Sequence, residues 1–119
     1  MSFISLTLVL PALVAAAAPD ADFLLMVKPQ FEIGKERLGH GGVVRNPEHH
    51  VETVENVARC AIGLGLDIAA IAASPLPGPS GNVEYFLYMR RDYPEPIDPR
   101  ELTDYIRAAV AQGPAGGAA

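Results

Sequence analysis

Phe23-Leu24-Leu25-Met26-Val27 is the stretch that most limits what this chain can fold into. Five consecutive apolar residues, too few for an ordinary helix and closed by Lys28-Pro29, read as a buried parallel strand. Pro29 keeps Lys28 extended, because the residue before a proline avoids the helical region. In open α/β sheets, ligands lie just beyond the carboxyl ends of the strands, so Lys28 is placed to face a site. Strand geometry alone is also satisfied by a solvated lysine that merely closes the strand.

Around this strand the other elements can be laid out. Ser5 caps a helix in which Leu6, Val9, Leu10, Leu13 and Val14 recur at helical spacing, with Pro11 bending it or marking its first turn; it reads as a buried helix. The apolar run from Phe3 to Ala18 is shorter than the ~20 residues a membrane span needs. No Lys or Arg precedes Lys28, so the basic region that opens a secretory signal is missing. Asn46-Pro47 begins a second helix with Val51, Val54, Val57, Ala58, Ala61 and Ile62 on one stripe, and Gly63 and Gly65 stop it. Leu66 to Ala73 is a further apolar strand, which makes strand, helix and strand a βαβ unit. Val83 to Arg91 alternates, with Val83, Tyr85, Leu87 and Met89 on one face and Glu84, Phe86, Tyr88 and Arg90 on the other. Asp98-Pro99 caps a last helix with Leu102, Tyr105, Ile106, Ala109 and Val110 inward, and Gly113 to Ala119 reads as a disordered tail.

Two loops stand out. Gln30 to Val44 is long for a compact domain and carries Gly34, Gly39, Gly41 and Gly42. Lys35, Arg37, His40 and Arg45 give this region a local basic excess, a candidate surface for a phosphate backbone. With Glu32 and Glu36 nearby it reads equally as a solvated loop of mixed charge. The chain as a whole has a net charge of -5, so any nucleic-acid contact must be local or shared with sequence outside these 119 residues. Cys60 is the single cysteine, which excludes an internal disulfide or a cysteine zinc site and fits a cytoplasmic protein. His49-His50 point in different directions on a helix and lack ligand partners at metal spacing, so they read as surface histidines and no metal is expected.

Three motifs, in this order, carry a resemblance: Lys-Pro-Gln-Phe-Glu at 28–32, Gly-Gly-Val-Val-Arg-Asn-Pro at 41–47, and Ser-Pro-Leu-Pro-Gly-Pro-Ser-Gly-Asn-Val-Glu-Tyr-Phe at 74–86. With the opening Ser2-Phe3-Ile4-Ser5-Leu6, they closely resemble the carboxyl-terminal part of the TlyA family, ribosomal RNA 2'-O-methyltransferases first labelled hemolysins. The resemblance covers nearly all of residues 1 to 110. It implies an α/β fold, the carboxyl-terminal half of a Rossmann-like, S-adenosyl-L-methionine-dependent methyltransferase, with residues 1–112 as a partial FtsJ-like domain. It also implies ribosomal RNA or ribosomal subunits as partner and no membrane role.

That family uses a Lys-Asp-Lys-Glu tetrad, and by resemblance Lys28 matches its second lysine and Glu84 its glutamate. The family's aspartate falls one residue before Met1, and its first lysine, glycine-rich cofactor loop and S4-type RNA-binding domain are not matched in these 119 residues. The expectation is a longer protein, read here from an internal GTG start, with the short chain inactive by itself. A stop codon just upstream in the same frame would sink that expectation. The alternative is a non-catalytic interaction domain that docks by strand addition.

Overall fold

The computed structural model describes residues 5–33, 44, 46–76 and 82–113. In chain order these form α1 (Leu6–Ala16), β1 (Asp22–Val27), α2 (Pro29–Glu32), α3 (Pro47–Gly63), β2 (Asp67–Ala73), β3 (Tyr85–Arg90), a 3₁₀ turn (Pro99–Glu101) and α4 (Leu102–Gln112). The short helix α2 occupies the start of what the sequence suggests is loop. Pro29 at its first position has the right φ and no N–H to lose, and Ile33 N–H closes the turn on Pro29 O at 3.0 Å.

The strands form one sheet in the order β1-β3-β2. β3 runs antiparallel to both neighbours, pairing Phe23 with Met89, Leu25 with Leu87 and Val27 with Tyr85 on one side, and Ile71 with Leu87 and Ala73 with Tyr85 on the other. β1 and β2 therefore point the same way, as a βαβ unit requires, but β3 lies between them. The expected parallel pairing of β1 is corrected: its described partner is antiparallel. An apolar run reports burial, not the direction of its neighbour.

The core lies on one face of this sheet. Phe23, Val27, Ile68, Tyr85, Leu87 and Met89 meet Leu10 and Val14 of α1, Val54, Val57 and Ala61 of α3, and Leu102, Ile106 and Val110 of α4. On the other face Leu24 is 67% exposed and Met26 38%. β1 is thus buried on one side only, because all three long helices pack on the same layer. On α4, Tyr105 was placed with the inward residues by spacing but is 51% exposed; it lies at the stripe's edge, beside Leu102, Ile106, Ala109 and Val110, which are buried. Gly113 closes α4 against Ala73, where an added Cβ would overlap the Ala73 Cβ.

Helix α1 departs most from expectation. It buries only Leu10 and Val14, and leaves Leu8, Val9 and Leu13 outward. Pro11 sits inside the helix rather than in its first turn, which starts at Leu6 behind the Ser5 cap. A proline there frees the Thr7 carbonyl, and the Cys60 thiol approaches that oxygen at 4.0 Å. Polar grips hold the two ends. At the N-terminus, which has no acidic residue of its own in the first turn, Glu32 accepts from Ser5 Oγ at 2.5 Å and Leu6 N–H at 2.9 Å. At the C-terminus Arg91 donates to Val14 O at 2.9 Å and Ala18 O at 3.0 Å. With so little apolar burial, α1 depends on these contacts, and Arg91→Ala is expected to cost about 1–2 kcal/mol in urea unfolding while raising hydrogen exchange selectively in α1.

Candidate functional site

Lys28 closes β1 with φ -110° and ψ 101°, the extended geometry its proline neighbour imposes. It is half-buried, and its Nζ lies 5.4 Å from the centroid of the Phe31 ring, a cation–π contact that holds the ammonium beside the turn. Glu84 precedes β3 directly. Its carbonyl accepts the Ser74 N–H at 2.7 Å, so the ends of β2 and β3 are locked together at this point. Val27 and Tyr85 are the last ladder partners of β1 and β3, so Lys28 directly follows, and Glu84 directly precedes, the pair at which the ladder ends.

The Glu84 side chain is 7% exposed, and its Oε2 is buried without a hydrogen-bond partner. A buried carboxylate oxygen left unpaired is costly, and such groups sit where a donor arrives from outside. Gln30, two residues after Lys28, is likewise 7% exposed with an unpartnered Oε1. Sequence reasoning passed over Gln30; its position inside the Lys-Pro-Gln-Phe-Glu run was the available signal. The chain just after β1 thus carries a cation and one unsatisfied acceptor, and the residue just before β3 carries a second acceptor. Such a set can orient a hydroxyl group and manage its proton.

The histidine pair is corrected in half. His49 is partly exposed, but His50 is 1% exposed, with Nε2 2.8 Å from Val44 O and Nδ1 2.8 Å from the Tyr85 hydroxyl. A carbonyl only accepts, so Nε2 carries the proton and Nδ1 accepts from Tyr85. Adjacent helical residues do diverge, and in the first turn of α3 that divergence sends His50 inward. Burial pushes its pKa below the ordinary 6.5, against the Val44 hydrogen bond, and pushes the Tyr85 phenol up. Between the lowered folded value and 6.5 the unfolded chain binds more protons. Stability is therefore expected to be full above about pH 6.5 and to decline as pH falls below it, a slope that His50→Phe removes in urea midpoints taken from pH 8 to 5.

The cations Lys35, Arg37 and Arg45 lie outside the described residues. Among the described residues no three His, Cys, Asp or Glu side chains gather to hold a metal, and no helix is long and apolar enough to cross a membrane. The largest described cavity, about 520 Å³, is lined by Ala72, Ala73, Pro75, Ala109 and Gln112, and no acidic side chain faces it.

Comparison with known proteins bears on this arrangement. The sequence matches the family described as FtsJ-like methyltransferase over residues 1–91. It is 50% identical over 114 residues to the 16S/23S rRNA (cytidine-2'-O)-methyltransferase TlyA of Mycobacterium tuberculosis, covering 96% of this chain and 42% of that protein. YqxC of Bacillus subtilis is 37% identical over 89 residues, 75% of this chain and 32% of its own length. A solved structure described as a hemolysin from Streptococcus thermophilus superposes with a TM-score of 0.75 at 34% identity, over 92% of this chain and 40% of that one. The chain thus spans about two fifths of the longest-matching of these relatives.

Proposed function

The chain belongs to the FtsJ-like methyltransferase family, and from that premise we propose that it supplies the Lys28–Glu84 part of an enzyme that methylates a ribose 2'-hydroxyl in ribosomal RNA. In this reading residues 1–112 are the carboxyl-terminal half of a Rossmann-like domain, the complete enzyme works in the cytoplasm on ribosomal RNA or ribosomal subunits, and the 119 residues alone are inactive. The observation that carries it is the buried, unpartnered carboxylate oxygen of Glu84 at the end of the β1–β3 ladder, where Lys28 leaves β1.

A 2'-hydroxyl is a weak nucleophile at neutral pH and gains from a group that orients it and receives its proton. In this reading Lys28, whose Nζ lies 5.4 Å from the Phe31 ring centroid, orients the hydroxyl and, as the free amine, takes up its proton, and the buried carboxylate of Glu84 then holds the ammonium so formed. S-adenosyl-L-methionine is the methyl donor of the proposed reaction; the cavity beside Ala73 and Ala109 carries no acid for ribose hydroxyls, and in this reading no described residue is assigned to the donor. The chain's share is then to place the acceptor hydroxyl, and positioning is a large part of such a rate.

The test is a chimera in which this chain replaces the matching segment of the Mycobacterium tuberculosis relative, assayed on ribosomal subunits with tritiated S-adenosyl-L-methionine. Transfer by the chimera and none by the 119 residues alone is expected; a folded chimera without transfer overturns the proposal. The unpaired outer edge of β1 among the described residues favours a second reading, a non-catalytic domain that accepts an added strand. A monodisperse short chain that binds a partner, beside an inactive chimera, would select it.

A further inference from the structure

We propose that His50 is a positioning residue that holds Glu84 in place through a closed polar circuit, an inference that rests on the catalytic role proposed for Glu84. Asn82 Oδ1 accepts the Val44 N–H at 3.0 Å, Val44 O accepts the His50 Nε2–H at 2.8 Å, and His50 Nδ1 accepts the Tyr85 hydroxyl at 2.8 Å. The chain from 82 to 85 completes the ring, and Glu84 lies within it. The participants are all deeply buried: Asn82 3% exposed, Val44 4%, His50 1% and Tyr85 0%. The His50 and Tyr85 rings meet edge to face, with centroids 5.6 Å apart and planes at 82°. Outside the ring, the Ser74 N–H pins the Glu84 carbonyl from β2. The Glu84 carbonyl is thus held directly from β2, and its neighbours Asn82 and Tyr85 are held through their side chains by Val44 and by His50 of α3.

Such a circuit is a poor means of gaining stability. Apolar side chains of similar shape in place of both polar partners can be neutral or better for a core, whereas a fully satisfied polar network admits few alternative geometries. What this one specifies is the approach of Val44 to the entry of β3.

Two variants test this. His50→Phe fills the space without the hydrogen bonds, and Tyr85→Phe removes only the hydroxyl. In the full chain, hydrogen exchange at the Val44 amide and the carbon-13 shift of the Glu84 carboxylate are expected to change in both variants, with nitrogen-15 shifts showing the Nε2–H tautomer of His50 in the wild type. In the chimera, kcat is expected to fall about 10- to 100-fold with KM for S-adenosyl-L-methionine unchanged, and His50→Gln, which can again donate to Val44 O, to recover part of it. Unaltered Glu84 signals in both variants overturn the proposal, as does an unchanged kcat despite faster Val44 exchange. If the unmutated chimera is inactive, it is the enzymatic reading that fails, and the Glu84 signals alone decide whether His50 positions that residue.

Discussion

Exchange of Lys28 for alanine in the chimeric methyltransferase is expected to lower methyl transfer about 10²- to 10⁴-fold, the range for losing a positioned proton-transfer group. Lys28→Arg separates two roles. An arginine stays charged and can still orient a hydroxyl, but it cannot take up the proton, so a rate as low as that of alanine marks Lys28 as the base. Glu84→Gln keeps the shape and removes the charge, and a smaller loss is expected than for Glu84→Ala. If the two side chains act as a unit, Lys28→Ala combined with Glu84→Ala loses little more than the worse single change. The measurement is initial rate on ribosomal subunits, with thermal unfolding to confirm that each variant is folded. Turnover like the wild type in either single variant removes that residue from the mechanism.

The largest expected effect on stability is at Leu87. It is fully buried in the central strand, with Leu25 and Ile71 as its ladder partners on either side. Leu87→Ala removes three carbons where both flanking strands and the helix layer limit collapse, and about 2–5 kcal/mol is expected. Domains of this size have only about 5–15 kcal/mol to lose. Leu24 is the control, since it is next to Leu25 in sequence but 67% exposed, and Leu24→Ala is expected to stay within about 0.5 kcal/mol. Urea midpoints for the two variants check the pair; equal losses would mean that the outer face of β1 is covered in solution.

The parts of this fold legible in the sequence are those governed by short-range rules. Pro29 dictates the backbone of Lys28, Asn46-Pro47 opens α3 with the Asn46 side chain accepting from Glu48 N–H, and alternation along β3 places Tyr85, Leu87 and Met89 inward. Long-range matters were not legible. Nothing local says that β3 inserts between β1 and β2, because strand order depends on which edges are free when the chain returns. The exposure of α1 was missed for a related reason: its apolar spacing is helical, but how much of that surface is covered depends on packing partners remote in sequence, as do the contacts of Glu32 and Arg91 that hold its ends. His50 was missed because its partners, Val44 and Tyr85, come from two other segments. For the site, Lys28 is named from its place at the end of an apolar strand and from the motif resemblance, and Glu84 from the resemblance. That the two flank the last pair of the β1–β3 ladder could not be read without the register.

The insertion of β3 has a consequence for how the protein is made. Among the described strands β1 and β2 share one partner, and that partner is the last of the three to leave the ribosome. β2 and β3 are separated by only eleven residues, so their pairing closes a short loop, whereas β1 must wait and then join across the whole interval from 28 to 84. Until residue 90 has emerged, the nascent chain carries an apolar strand with no described place to dock. Stalled or prematurely ended translation in that window would deliver the segment to chaperones rather than to a sheet.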